Sequence, residues 1–71
     1  MIVMSYDKTE VFETDRVYVR ELTQYKNGSE CYSGYYAVFA AYKGYPRQLT
    51  IGVKDKEIAK QNLLEVLQGS R

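Results

Sequence analysis

Tyr32-Ser33-Gly34-Tyr35-Tyr36-Ala37-Val38-Phe39-Ala40-Ala41-Tyr42-Lys43 is the stretch that decides the fold of this chain. At a strand's period of two, Tyr35, Ala37, Phe39 and Ala41 point one way, and Tyr36, Val38, Ala40 and Tyr42 the other. Neither row carries a charge, so the stretch predicts a central strand with both faces at least partly covered.

The strand's neighbours follow from the turns on either side. Upstream, Lys26-Asn27-Gly28-Ser29 is the strongest hairpin signal in the chain, because Asn-Gly tolerates the positive φ that a tight turn needs. Before it, Glu10–Tyr25 is rich in β-branched and aromatic residues, with Glu13-Thr14-Asp15 as an interrupting bend or bulge. Val17 and Val19 share one strand face, and Tyr18, Arg20 and Leu22 the other. Met1–Tyr6 reads as an edge strand or a loose leader, and Asp7–Thr9 as a turn. Downstream, Gly44-Tyr45-Pro46 reverses the chain. Leu49, Ile51 and Val53 then alternate with Gln48, Thr50 and Gly52, as in an amphipathic outer strand.

At the C-terminus the period changes. Asp55 can cap a helix that stops at Gly69, so residues 54–68 are expected to form the helix. Ile58, Ala59, Leu63, Val66 and Leu67 cover one half of its wheel, with Leu64 at the border, and Glu57, Lys60, Gln61, Glu65 and Gln68 form the wet side. The expected fold is α+β: a three- or four-stranded antiparallel meander packed on one side by a C-terminal helix, as a single domain over residues 1–71. The expected core is Val17, Val19, Phe39, Leu49, Ile51, Val53, Ile58, Ala59, Leu63 and Leu67.

The chain has 71 residues, room for one hydrophobic core. Domains this small bury only about 60% of their unfolded surface, so self-association is a natural supplement to stability. Ten basic and nine acidic side chains give a net charge of +1, too small to imply a dedicated polyanion binder. The positive excess lies in residues 31–71, with six basic against three acidic side chains. There is no histidine, and Cys31 is the one cysteine, which excludes an internal disulfide and a cysteine–histidine zinc site. No metal and no cofactor are expected. Neither a nucleophile elbow nor a phosphate-cradling glycine loop is present, so the expectation is a non-enzymatic protein. Glu10, Glu13 and Asp15 read as solvated charges. The reducing cytoplasm suits a lone thiol, and no apolar run reaches membrane length.

Eight tyrosines are more than so small a core absorbs, and rings on a strand make rigid, amphipathic contacts. A sheet covered by one helix leaves its other face open. That face is expected to carry Tyr18, Arg20, Tyr36, Val38 and Tyr42, with a patch built on Tyr35 as the other parity. The leading expectation is a protein-interaction module that forms a homodimer through this tyrosine-rich face. The alternative is nucleic-acid binding. There, Tyr36 and Tyr42 stack on bases while Lys43, Arg47 and Lys54, with Arg20, neutralise phosphates. Lys54, Lys56 and Lys60 also surround the helix start, where phosphate can meet free N–H groups, although lysines there are ordinary solubility devices.

Strand, turn, strand and helix over Tyr35–Leu67, with Ala59-Lys60-Gln61 on the helix, resemble the C-terminal half of a double-stranded-RNA-binding domain. The resemblance covers about half of the chain. The chain lacks that family's first helix, and its helix opens Asp55-Lys56-Glu57 where the family places adjacent lysines, so no residue's role carries over. A three-stranded sheet with a C-terminal helix is also similar in architecture to the small DNA-binding domains of some mobile-element integrases.

Overall fold

A computed structural model describes residues 1–69. Five strands precede one helix: β1 (Ile2–Met4), β2 (Val11–Glu13), β3 (Val17–Lys26), β4 (Ser29–Tyr42), β5 (Tyr45–Gln48) and α1 (Lys56–Gly69). β3, β4 and β5 form the antiparallel meander, and β1 pairs with β2 in a separate two-stranded sheet. The expected α+β meander with its C-terminal helix is therefore the fold. The N-terminal residues form half of an added hairpin rather than a fourth strand of the main sheet.

Both meander turns have two residues in the left-handed region, Asn27 (φ 54°) with Gly28 (φ 80°) and Lys43 (φ 51°) with Gly44 (φ 82°). This is the twist-matched geometry that suits a short hairpin. The second turn lies one residue earlier than Gly44-Tyr45-Pro46 suggests, and β5 begins at Tyr45. Pro46 stands opposite Ala41. Ala41 turns its N–H toward β3, donating to the Arg16 carbonyl at 3.1 Å. Pro46, its partner on the other side, therefore lacks a donor only where β5 faces outward.

The register sorts the side chains. Val17 opposes Ala40, Val19 opposes Val38, and Glu21 opposes Tyr36. Ala40 opposes Arg47, and Tyr42 opposes Tyr45. Opposed residues share a face. This first face is covered by α1 through Val66 and by the β1–β2 hairpin through Val3 and Phe12, which cluster with Ala40, Val17, Tyr42 and Leu49. Tyr18, Arg20, Ala37 and Phe39 lie on the second face.

Three members of the expected core are exposed: Ile51 (61%), Ile58 (46%) and Leu67 (44%). The outer strand ends at Gln48 because Thr50 breaks its phase: the Thr50 hydroxyl accepts the Val38 N–H at 3.0 Å in place of a carbonyl. The pairing resumes at Val53, which exchanges hydrogen bonds with Tyr36 at 2.7 and 2.8 Å. Two additional residues lie between these points, and Ile51 is pushed outward. On the helix, the inward stripe is narrower than expected, with Ala59 fully buried and Asn62, Leu63 and Val66 half-buried. The hairpin supplies the missing cover, with Val3 and Phe12 both buried.

Candidate interaction surface

The two long edges of the meander differ. On β4, Tyr36 and Val38 direct their backbone groups toward the segment after β5, and Ala41 directs its own toward β3. Counting on from the Arg16 carbonyl that Ala41 bonds, alternation along an antiparallel ladder assigns the inward groups of β3 to Tyr18 and Arg20. Val17, Val19 and Glu21 point their N–H and C=O away from β4, and no partner accepts or donates to them among the described residues. The opposite edge, on β5, is blunted. Pro46 offers no donor, and the Gln48 carbonyl accepts the Tyr6 N–H at 3.0 Å.

Tyr18 and Arg20 flank the free β3 edge on the second face. The Tyr18 ring stacks on Phe39 with centroids 6.2 Å apart. Arg16 lies 4.8 Å over Tyr18, and Arg20 lies 5.8 Å over Phe39. Lys54 similarly lies 5.6 Å over the Tyr35 ring. Cations thus lid the rings of this face, and Phe39 is only 8% exposed. On this face the Phe39 ring is covered by the chain's own side chains, whereas Tyr18 is half-buried and Arg20 exposed.

The five residues expected to share one surface are divided. Tyr18 and Arg20 lie on the second face, whereas Tyr36, Val38 and Tyr42 lie on the first. Val38 is fully buried. Tyr36 is half-buried, with Lys56 5.9 Å over its ring. Tyr42 packs on Phe12 at 4.6 Å. Parity is the cause: the Asn27-Gly28 turn sets Lys26 opposite Ser29, and the irregularity between Glu21 and Thr23 shifts the register by two, so even-numbered β3 residues oppose odd-numbered β4 residues throughout. The surface tyrosines are instead Tyr6, Tyr25, Tyr32, Tyr35 and Tyr45.

The cations named for nucleic acid do not form one track. Arg47 donates to the Glu10 carboxylate, a hydrogen bond that raises the guanidinium pKa still further. It also lies over the Phe12 and Tyr42 rings, at 5.2 and 5.9 Å. Lys43 sits 5.2 Å over Tyr42. Lys54 serves the opposite face, over Tyr35.

Between the hairpin and α1 runs an open groove of about 650 Å³ with Leu49 and Val66 inside it. Ile2, Met4, Val11 and Ile51 border it, and each is exposed by 47% or more. Sequence reasoning missed this feature. Its one visible signal was the apolar run Ile2–Met4 and the apolar pair Val11-Phe12. Among the described residues no cluster of carboxylates and thiols can hold a metal ion. No described helix is long and apolar enough to cross a membrane.

No family model matches the chain, and neither the curated proteins nor the solved structures contain a match.

Proposed function

We propose that this protein is a small non-enzymatic interaction module that self-associates. The observation that carries the proposal is the asymmetry of its sheet edges. β5 is closed by Pro46 and Tyr6, whereas β3 presents the backbone groups of Val17, Val19 and Glu21 with Tyr18 and Arg20 beside them. Free strand edges are templates for pairing, and small domains usually blunt them with proline, lysine or a covering loop. From Val17 to Glu21, β3 has neither proline nor lysine. The exposed apolar rim at Ile2, Met4, Val11 and Ile51 adds surface of the kind that partners cover. A reducing cytoplasmic setting fits the free thiol of Cys31.

Size-exclusion chromatography with light scattering, from low to high micromolar protein, tests this proposal. A dimer, stable or rising with concentration, supports it. A strict monomer throughout rejects self-association. Running the series with added oligonucleotides also tests the nucleic-acid alternative, which requires binding that falls steeply with salt.

A further inference from the structure

Resting on the self-association reading, we propose that two copies join edge to edge through β3, antiparallel about a two-fold axis at Val19. Tyr18 then faces the partner's Arg20, and the two helices meet along Leu64 and Leu67. The product is one continuous six-stranded sheet with both helices on the same face.

The register follows from which groups are free. An antiparallel edge pair must place outward-pointing residues opposite one another. With the axis at Val19, Val17 opposes the partner's Glu21 and Val19 opposes the partner's Val19, so every outward N–H and C=O in this run is paired. On the second face, Tyr18 and Arg20 fall opposite each other across the axis, a ring against a guanidinium. Charge disfavours the neighbouring registers. An axis at Arg20 sets two guanidinium groups directly against each other. An axis at Tyr18 opposes Glu21 to the partner's Asp15. Like charges directly opposed on strands are destabilising.

The helix supplies an independent observation. α1 lies over β4 and β3, with Asn62, Glu65 and Val66 turned toward the hairpin groove. The hairpin is tied to the β5 side through Tyr6 with Gln48 and Glu10 with Arg47. On a helix of about 3.6 residues per turn, Leu64 and Leu67 therefore occupy the flank nearer the β3 edge. They are 55% and 44% exposed and, three residues apart, are neighbours on that flank. Strands lie about 4.8 Å apart, so a helix over β3 and β4 stands roughly 5 Å from the proposed axis. Two such helices are then roughly 10 Å apart, within contact range. The dimer covers both leucines and the free edge together.

The test uses the full chain and three variants followed by light scattering, with far-UV circular dichroism as the check on folding. Val19→Pro removes the donor at the axis but no hydrogen bond to β4. Leu64→Glu acts at a side chain already more than half exposed, so the monomer fold tolerates it if the proline variant does not fold. Val11→Glu alters the groove rim instead. The proposal expects Leu64→Glu, and Val19→Pro where it folds, to weaken dimerisation by about tenfold or more, with Val11→Glu unchanged. A dimer that survives Leu64→Glu but is lost with Val11→Glu overturns the edge assignment and leaves self-association standing. A wild-type chain that is monomeric at every concentration overturns both.

Discussion

Thr14 is 5% exposed, and its hydroxyl donates to the Ala41 carbonyl at 2.6 Å while accepting the Arg16 N–H at 3.2 Å. These bonds fasten the bend between β2 and β3 to the far end of β4. Thr14→Val keeps the shape and strands both backbone partners, so it should destabilise the fold by about 1–3 kcal/mol in urea unfolding. An unchanged midpoint would show that the bend is held by packing alone. Asp7 is the other residue whose chemistry organises a loop. Its carboxylate accepts from the Thr9 hydroxyl and N–H and from the Ser5 hydroxyl, at 2.7, 3.1 and 2.8 Å. The Thr9 hydroxyl foremost, then Ser5, lowers its pKa from 3.8 to about 2. Because the folded value lies below the unfolded one, this contribution is complete above about pH 4 and is lost as pH falls toward 2. Asp7→Asn should flatten the stability profile in that window and leave its slope near neutrality unchanged. An acid limb identical to that of the wild type would remove Asp7 from the account.

Among the elements, those with local chemical signals were legible. Asn27-Gly28 marked the first hairpin, and Asp55 marked the helix start. The Asp55 carboxylate accepts the Glu57 N–H at 2.9 Å, and its carbonyl accepts the Ala59 N–H at 3.1 Å. Asp55→Ala should therefore lower stability by about 1 kcal/mol, read from thermal unfolding followed at the helix band. An unshifted transition would mean that packing at Ala59 fixes the helix start without the cap. Elements set by distant contacts were not legible. The alternation of Leu49, Ile51 and Val53 predicts one outer strand, but a single hydroxyl at Thr50 captures the Val38 N–H and shifts the phase. β1 and β2 are three residues each. Their pairing needs the Asp7 turn and the cover of Phe12 by Tyr42 and Arg47, contacts invisible along the sequence.

At the scale of the whole molecule, the sequence carried the fold class but not the assignment of faces. A strand's period of two makes face membership all or none, so one extra residue in a turn or bulge moves a complete row. Tyr18 and Arg20 were expected beside Tyr36, Val38 and Tyr42, and the register puts the latter three under the helix and hairpin. The expected interaction surface thus reduces to Tyr18 and Arg20, and what those residues border is a strand edge. Edges are legible in a sequence only by what blunts them. Pro46 was visible, but its outward direction depends on the pairing with Ala41.

Amide hydrogen exchange followed by NMR at low and high protein concentration tests edge-to-edge association most directly. The amides of Val17, Val19 and Glu21 should exchange fast in dilute solution. As concentration rises they should slow toward the rates of Tyr18 and Arg20, whose N–H groups face β4. Fast exchange of those three amides at every concentration, in a chain that nevertheless dimerises, would contradict it.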